Sequence, residues 1–534
     1  MPLSVNLDQA SPSSAEPLPV STPLSLVFSL VFSLLSLFSL FSHVWPRRSN
    51  VGKGAEARRE ATTIILGPVS LVDYLVGLIC LAPSLIRHVG LVPLLCIGFQ
   101  SLLFLVFRLP FGLVRDHFWL PASSLPQFVR EATVFEDIAR RYFRYACVNL
   151  PFCVVRLLFS KAFWLPLFRW RMLRHGHWKS SAYWHEQQVR QIAPPRRDQT
   201  TKEQRGSMTS PGLWIKHKPE QPPDLVVYYI HGGGFALCSS YLYLESLLAL
   251  NHLLVEAGFE NPAVFALEYT LVPQANFPMQ LAEVLHGYRH VLDVAKSASR
   301  VCVAGDSAGG YLVLNLLLRL GSQAVNPGPE EAGTGPSEAP PAPLPHMAAL
   351  ISPWVDVKID DHYPSEVDYI LEAKICEYAR ECAKGLTAGQ LQASPAACTD
   401  PELWRAACPR RGYFVIYGEE EAFAPDIEDF IQRRSQSGDE ISALRFGGGI
   451  HDWAILSMIV SSTQSRRQQG LRYLAEHVSK QFLATKRGKR QSRYRGPQIR
   501  SSSLSVSGRV EKRRFENQSR TRAWLRRRPA ESNG

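Results

Sequence analysis

The pattern of apolar and polar positions divides the chain into an N-terminal part and a longer C-terminal part. Residues 24–42 carry no charge and predict a transmembrane helix, because a helix of this length crosses about 30 Å of hydrocarbon. The apolar runs Ile64–Ile86 and Val89–Phe107 predict a hairpin or a pair of helices lying on a surface. The run Val148–Phe168 is interrupted by charged residues and suits an interfacial helix better than a span. Cap helices packed over a soluble domain are the alternative for each of these three later runs.

From about residue 212 the pattern changes to short apolar runs that alternate with amphipathic stretches. This alternation predicts an α/β fold with a mostly parallel central sheet flanked by helices. The predicted strands are Leu225–Ile230, Ala263–Leu267, Arg300–Ala304, Met347–Ile351, Tyr413–Tyr417 and Ala443–Phe446.

Composition, together with the apolar pattern, predicts how the chain is divided into domains. The 534 residues are 46% hydrophobic, which is enough for a sizeable core. We expect a disordered N-terminus at 1–23, a membrane anchor at 24–45, an apolar helical membrane-associated or cap region at 60–175, a catalytic domain at 212–484 with a flexible insertion at 321–345, and a disordered basic tail at 485–534.

The net charge of +12 is concentrated in this tail. From Lys486 onwards, 16 Lys and Arg less 3 Glu give +13, so the remaining body is about neutral. No motif indicates a specific nucleic-acid partner. Ten scattered cysteines without metal-ligand spacing indicate neither a metal site nor a redox site, so we expect no cofactor. The sequence carries no signal for an oligomeric state.

A nucleophile elbow is predicted where a strand meets a helix. The sequence Gly305-Asp306-Ser307-Ala308-Gly309 follows an apolar strand and precedes a helical run. A Ser on such a sharp turn needs small residues on both sides, because the strained backbone leaves no room for side chains. Ser307 is therefore the candidate nucleophile.

The second motif is His231-Gly232-Gly233-Gly234, directly after the first predicted strand. Acyl transfer builds an oxyanion, and preorganised backbone N–H groups stabilise that charge. Gly232 and Gly233 are the candidate donors, together with Ala308 of the elbow. A merely structural glycine turn is the alternative, and the elbow downstream makes it much the weaker one.

The base and its orienting acid are expected in loops after the last two strands. His451 follows the last predicted strand, so it is the candidate base. Glu421 lies three residues beyond the glycine that closes the preceding strand, and the chain order Ser, acid, His is then satisfied. Asp426 is the alternative acid. Glu419 and Glu420 are interpreted as a solvated acidic loop.

Together these residues resemble the hormone-sensitive-lipase branch of the α/β-hydrolases, which shares an HGGG-type loop and a GDSAGG elbow. Glu268–Pro278 and Ser352–Asp356 are also similar to segments of that family, and the resemblance covers roughly Leu225–Leu483. Many members have Asp at the acid position, whereas Glu421 here resembles steryl acetyl hydrolases, which use Glu. The resemblance implies a Ser-His-Glu triad in a serine ester hydrolase.

The resemblance also bears on substrate and location. Steryl acetyl hydrolases and the similar arylacetamide deacetylases are membrane-anchored and face the endoplasmic reticulum lumen, which implies hydrophobic acetyl esters of sterols or xenobiotics as substrates and membrane lipid as a partner. The basic residues after the first apolar run favour instead a cytosolic side for that end of the helix. A glycerolipid lipase and a catalytically silent ligand-binding protein on the same fold remain the alternatives.

Overall fold

A computed structural model describes residues 66–179, 183–190, 209–325, 342–357, 365–370 and 394–487. The predicted N-terminus 1–23, the anchor 24–45, most of the insertion 321–345 and all but the first residues of the tail 485–534 lie outside these ranges.

The core of the fold is one eight-stranded sheet. Its strands are β1 (His185–Arg190), β2 (Thr209–Lys216), β3 (Leu225–Ile230), β4 (Pro262–Leu267), β5 (Val301–Asp306), β6 (Met347–Ile351), β7 (Tyr413–Gly418) and β8 (Ile441–Phe446). They lie in the order β1-β2-β4-β3-β5-β6-β7-β8. β2 runs antiparallel to both of its neighbours and all other pairs are parallel. The predicted α/β fold with a mostly parallel sheet is confirmed.

Helices cover both faces of this sheet, as parallel strands require. The principal ones are α8 (Leu244–Glu256), α9 (Met279–Ala295), α10 (Ser307–Val325), α11 (Pro401–Ala407), α12 (Ala424–Gln436), α13 (Trp453–Val460) and α14 (Gln464–Arg487). Two buried apolar clusters result, one on each face, because successive residues of each strand point to opposite sides. The central strands β3 to β7 are buried along their whole length, which explains why they read as continuous apolar runs.

Seven α-helices precede the sheet in the described part of the chain. They are α1 (Leu71–Val89), α2 (Leu91–Leu103), α3 (Leu109–Val114), α4 (Gln127–Glu131), α5 (Val134–Asn149), α6 (Phe152–Leu158) and α7 (Lys161–Arg174). Two π-helical turns, Phe104–Arg108 and Arg115–Trp119, join α2, α3 and the residues that follow into one helical rod over residues 91–119.

The predicted pair of apolar helices is present, with the break at Gly90. Both helices are long and apolar enough to cross a membrane, and the second, residues 91–119, contains an 18-residue window of mean hydropathy 2.0 with no buried residue. Leu109, Leu113 and Asp116 nearer its end are buried. Phe99, Phe107 and Phe118 are exposed by 60%, 65% and 78%. An unburied apolar surface of this extent is typical of a membrane or partner contact.

The third predicted segment, Val148–Phe168, folds differently from an interfacial helix. It forms α6 and most of α7, and Val154, Phe163 and Leu167 pack against α1 in a small core. The alternative of cap helices therefore holds for this segment, because its apolar side chains are buried against protein.

Asp73, the single charge in the first apolar run, joins α1 to the rest of the protein. Its buried carboxylate accepts from Arg171 Nη1 at 3.0 Å and from Trp170 Nε1 at 3.0 Å. Arg171 also pairs with Glu245, which accepts from Arg467 at 2.7 Å. Each charge in this network of Asp73, Arg171, Glu245 and Arg467 has an opposite charge beside it, so α1 is held against the catalytic domain by paired charges.

Candidate active site

Ser307 stands at the junction of β5 and α10 and has a positive φ of 48°. A non-glycine residue in this conformation costs about 1–3 kcal/mol and persists only where its surroundings enforce it. The surroundings are close-packed backbone: a Cβ on Gly305 would lie 2.6 Å from the Gly309 backbone, and a Cβ on Gly309 would lie 2.0 Å from the Ile230 carbonyl oxygen. The two glycines therefore let the turn sit directly against β3, as predicted for an elbow.

Asp306 connects the elbow to the glycine-rich loop. Its buried carboxylate accepts from Tyr229 Oη at 2.6 Å, from Tyr243 Oη at 2.7 Å and from the Gly232 N–H at 3.0 Å. Burial, together with the charge of Asp452, raises the pKa of Asp306 to about 8 against the effect of these hydrogen bonds. Asp306 is thus a buried acceptor that holds the glycine loop in place. This contact explains why an acidic residue precedes Ser307 in the elbow sequence.

The glycine loop passes very close to the nucleophile. A Cβ on Gly232 would lie 3.0 Å from Ser307 Cβ, and Gly233 and Gly234 adopt φ values of 107° and 60° that favour glycine. The Gly232 N–H, a predicted oxyanion donor, is occupied by Asp306. The Gly233 N–H meets no protein acceptor in the described ranges, and Ala308 lies in the first turn of α10, where N–H groups have no intrahelical partner. Two of the three predicted donors are therefore available.

His231 has a structural role in this arrangement. Its ring is fully buried, stacks on Tyr269 at 4.4 Å, and lies with Nδ1 2.8 Å from the Gly232 carbonyl oxygen. Burial lowers its pKa to about 4, so the ring is neutral over the physiological range. A neutral, stacked imidazole supports the loop and takes no part in proton transfer.

His451 lies in the loop after β8, buried between two aromatic rings. The Phe423 ring is 5.0 Å away in an edge contact, and the Tyr369 ring is 5.9 Å away. Asp452 Oδ2 lies 3.2 Å from His451 Nε2. No hydrogen bond joins this imidazole to Ser307 Oγ in the described structure. Catalytic hydrogen bonds are often formed only when substrate binds, and the pairing of His451 with Ser307 is therefore expected in the substrate complex.

Carboxylates control the protonation of this imidazole. Burial by itself lowers the pKa of His451, but the negative charges of Asp452, Glu421 and Asp368 outweigh it and raise the pKa to about 9. The imidazolium is therefore the resting form near neutral pH, and proton acceptance requires a more alkaline solution or a change at one of the three acids.

The two candidate acids have different surroundings. Glu421 is buried at the end of β7, and its Oε2 accepts from Ser352 Oγ at 2.7 Å and from the Gly418 N–H at 3.0 Å. Its Oε1 and His451 Nδ1 are both buried without a hydrogen-bond partner among the described residues. Burial raises the pKa of Glu421 to about 8, although His451 lowers it. Asp426 is half-buried in the first turn of α12.

Two polar residues near the imidazole were given no role from the sequence. Ser352 Oγ bridges the acid and base loops, because it donates to Glu421 and accepts from the Asp452 N–H at 3.0 Å. The segment Ser352–Asp356 resembles a family motif, but the sequence does not predict this bridging role of Ser352, because the role depends on contacts made in the fold. Asp368 is fully buried and its Oδ2 accepts from the Ala422 N–H at 2.8 Å. Residues 365–370 show no apolar period or motif that predicts this position.

Arginines of α5 hold the segment 365–370 over the acid loop. Arg140 Nη1 donates to the Val367 carbonyl oxygen at 3.2 Å, and Arg144 Nη1 donates to the Glu366 carbonyl oxygen at 3.1 Å and to that of Asp368. The N-terminal helices therefore form part of the wall around His451.

Glu420 makes a second link between the cap and the acid loop, which corrects the interpretation of this residue as solvated. Its carboxylate accepts from the Gln127 N–H at 2.8 Å and from the Phe128 N–H at 2.7 Å, both in the first turn of α4. Glu419 is closer to the expectation, since its carboxylate forms a partly exposed ion pair with Arg445. A carboxylate at a helix N-terminus is favourable because it binds N–H groups that have no other acceptor.

Aromatic rings line the route from the nucleophile to the base. The backbone N–H of Trp354 donates to the Ser307 carbonyl oxygen at 2.9 Å, and the Trp354 ring stacks on Phe423 at 5.8 Å. The Phe235 ring also packs against Trp354, with 5.8 Å between the ring centroids. The reacting groups are thus enclosed by apolar surface, in which backbone dipoles act more strongly than in water. No group of three or more His, Cys, Asp or Glu in the described ranges is placed to hold a metal ion.

Comparison with known proteins agrees with the α/β fold. Residues 227–455 match a family model described as alpha/beta hydrolase fold. The chain is 32% identical over 146 residues to an acetyl-hydrolase of Streptomyces hygroscopicus, a match that covers 27% of this chain and 40% of the relative. It is 28% identical over 178 residues to hormone-sensitive lipase of Mus musculus, covering 29% and 22%. It is 40% identical over 113 residues to neutral cholesterol ester hydrolase 1 of Mus musculus, covering 20% and 26%. The matches span less than half the length of these relatives.

Proposed function

The chain contains an α/β-hydrolase domain similar to that of hormone-sensitive lipase, and from this premise we propose that it is a serine carboxylic-ester hydrolase. The observation that carries the proposal is the strained Ser307 at the end of β5, in contact with the backbone of Gly232. A conformational cost of this kind is kept where the side chain must be presented to a substrate.

In the proposed mechanism Ser307 Oγ attacks the ester carbonyl carbon while His451 takes its proton. The oxyanion of the tetrahedral intermediate accepts hydrogen bonds from the N–H groups of Gly233 and Ala308. His451 then gives the proton to the leaving alcohol, and water attacks the acyl-enzyme by the same steps in reverse roles. Glu421 holds the imidazole in the required tautomer and stabilises its positive charge. Each N–H donor is worth about 3–4 kcal/mol of transition-state stabilisation.

Hydrolysis of p-nitrophenyl acetate by the full chain tests the activity. The native chain is expected to release nitrophenolate, and Ser307→Ala is expected to reduce the rate to that of buffer. Ser299→Ala, a change of an exposed Ser outside the site, serves as the matched control. Equal rates for the native chain and Ser307→Ala would refute the assignment and would favour the alternative of a catalytically silent ligand-binding protein.

We propose hydrophobic acetyl esters, such as steryl or xenobiotic acetates, as the substrate class. The aromatic lining around Trp354 and Phe423 supports an apolar substrate. The names of the relatives, an acetyl-hydrolase and a neutral cholesterol ester hydrolase, support a short acyl group and a sterol alcohol respectively. A glycerolipid lipase is the alternative.

A series of nitrophenyl esters separates these two possibilities. A deacetylase is expected to show kcat/KM that falls as the acyl chain lengthens, while a lipase shows the opposite trend. A steryl acetate is expected to be hydrolysed faster than a water-soluble acetate such as triacetin. Equal turnover of both acetates would count against the hydrophobic alcohol portion.

We also propose that the rod of residues 91–119 lies in a lipid bilayer. Its exposed Phe99, Phe107 and Phe118 support this, because burying such side chains in hydrocarbon is worth about 1.5–3 kcal/mol each. In vesicles that contain a photoactivatable phospholipid, cross-links are expected on peptides from 91–119. Cross-links confined to other peptides would contradict the proposal. The resemblance further suggests that the catalytic domain faces the endoplasmic reticulum lumen, and protection of that domain from protease in sealed microsomes tests it against the cytosolic orientation.

A further inference from the structure

The peptide bonds on both sides of Glu421 are held by two side chains of one short segment. Ser365 Oγ donates to the Glu420 carbonyl oxygen at 2.8 Å, and this oxygen belongs to the peptide bond that precedes Glu421. Asp368 Oδ2 accepts from the Ala422 N–H at 2.8 Å, and this N–H belongs to the peptide bond that follows Glu421. The backbone of the proposed acid is therefore fixed from both sides by side chains 55 and 54 positions away.

Ser365 and Asp368 also bind each other. The Asp368 N–H donates to Ser365 Oγ at 3.0 Å, so the hydroxyl that donates to the acid loop is itself oriented by the residue that accepts from that loop. Asp368 is fully buried, and its Oδ1 accepts from the Ile370 N–H at 3.4 Å. A buried carboxylate is stable only where donors surround it, so these N–H groups fix the position of the Asp368 side chain.

The same segment contacts the loop of the proposed base. Val367 is buried in one small apolar cluster with Ile450, the residue before His451. The Tyr369 ring lies 5.9 Å from the His451 ring. Burial raises the pKa of Asp368, whereas the charge of His451 and nearby backbone N–H groups, including that of His451, act to lower it. Residues 367–369 thus adjoin both loops that carry the proposed acid and base.

Helix α5 holds the backbone of this segment. Arg144 Nη1 donates to the Ser365 carbonyl oxygen at 3.3 Å, and Arg140 Nη1 donates to that of Val367 at 3.2 Å. Arg140 is buried and pairs with the buried Asp137 at 2.6 Å. A planar guanidinium that is buried and paired in this way has little freedom to move, so the segment is anchored to α5 as well as to the acid loop.

We propose that Ser365 and Asp368 are positioning residues of the catalytic site, which hold the backbone of Glu421 where its carboxylate meets the imidazole of His451. They act through Glu421 and do not contact the substrate in this role. The proposal rests on the proposed ester hydrolysis. A displacement of about 1 Å in a catalytic group can lower a rate about 100-fold, so loss of one of the two contacts should be visible in kcat.

The variant Ser365→Ala tests this role in the p-nitrophenyl acetate assay, because it removes a hydroxyl and no charge. We expect kcat to fall about tenfold while KM changes less than about twofold. Ser365→Thr keeps a hydroxyl and should recover kcat to within about threefold of the native value. Ser479→Ala is the matched control, because Ser479 Oγ donates to the Ala257 carbonyl oxygen at 2.7 Å outside the site, and it should leave kcat unchanged.

A second background separates positioning from a general weakening of the fold. Because Ser365 is proposed to act through Glu421, Ser365→Ala should change kcat less than about twofold in a chain that already carries Glu421→Gln. An equal loss of kcat in both backgrounds would overturn the proposal. An unchanged kcat for Ser365→Ala in the native background would overturn it as well.

Hydrogen–deuterium exchange of the acid loop gives a readout that does not depend on hydrolysis. Peptides from Gly418–Phe423 should exchange roughly tenfold faster in Ser365→Ala and in Asp368→Ala, because the loop loses one of its two contacts. Asp368→Asn keeps an oxygen for the Ala422 N–H, so its exchange should stay close to that of the native chain.

Unchanged exchange of these peptides in the alanine variants would overturn the proposal. Faster exchange in a chain that shows no Ser307-dependent hydrolysis would support the contacts of Ser365 and Asp368 and would refute the proposed function instead. A circular dichroism melting curve identifies a variant that does not fold, and Ser365→Ala decides the test if Asp368→Ala is such a variant.

Discussion

Replacement of Asp452 by Asn isolates the electrostatic control of the proposed base. The Asp452 carboxylate lies 3.2 Å from His451 Nε2 and is the first of three acids that raise the imidazole pKa to about 9. Asn is nearly isosteric, tolerates the left-handed backbone of this residue at a φ of 53°, and keeps the N–H that donates to Ser352. The change therefore removes one negative charge and little else.

The expected effect is an increase in activity near neutral pH. The imidazole accepts a proton only when it is neutral, so the rate rises with pH through the His451 pKa. At a pKa of about 9, roughly 1% of the rings are neutral at pH 7, whereas at the unperturbed value of about 6.5 roughly three quarters are neutral. Each unit by which Asp452→Asn lowers the pKa should thus raise the rate at pH 7 about tenfold, to a limit of about 75-fold.

The rate of reaction with a fluorophosphonate, measured between about pH 6 and pH 10, reports this pKa without substrate binding or product release. Asp429→Asn is the matched control, because this carboxylate is 60% exposed on α12, where it pairs with Arg433. Its profile should overlay that of the native chain. In Asp452→Asn the rate should begin to rise at a lower pH than in the native chain. A rise at the same pH or at a higher pH would refute the electrostatic reasoning.

Three further changes test the acid, the elbow and the cap. Glu421→Gln should lower kcat at least about 100-fold because the imidazole loses its orienting carboxylate, whereas Asp426→Asn should change it less than about twofold in the same ester assay. Equal losses would remove the distinction between the two acids. Gly309→Ala should lower the free energy of unfolding by about 1–3 kcal/mol in thermal denaturation, because the new Cβ meets a backbone carbonyl at 2.0 Å; an unchanged melting temperature would show that the strand moves. Glu420→Gln should lower the free energy of unfolding by about 1–3 kcal/mol and Glu419→Gln by less than about 1 kcal/mol, since the Glu420 carboxylate accepts from two helix N–H groups. Identical melting temperatures for the two variants would contradict that role of Glu420.

The sequence predicts those parts of the fold that depend on residues close together along the chain. The six predicted strands are all present with ends displaced by at most two residues, because strands buried on both faces read as apolar runs. β1 and β2 were not predicted. The segment His185–Arg190 is mostly polar and half of an antiparallel edge pair, so nothing in its pattern distinguishes it from a loop.

The same distinction between local and long-range contacts applies to the residues of the candidate site. Ser307 and the glycines of its turn follow from local geometry, since the strained turn restricts its own neighbours. The roles of Ser352 and Asp368 depend on contacts with residues 69 and 54 positions away, which no local pattern encodes. The Gly232 N–H was assigned to the oxyanion because its motif is local, whereas the acceptor it meets, Asp306, lies 74 residues further along the chain.

The central claim is that Ser307 is a nucleophile activated by His451, and the adduct of a fluorophosphonate with the full chain tests it most directly. We predict one phosphonyl group per chain, carried by the peptide that contains Ser307 and located on that residue by fragmentation, with labelling lost in Ser307→Ala and strongly slowed in His451→Gln. An adduct on any other residue, or equal labelling of the native chain and Ser307→Ala, would contradict the account.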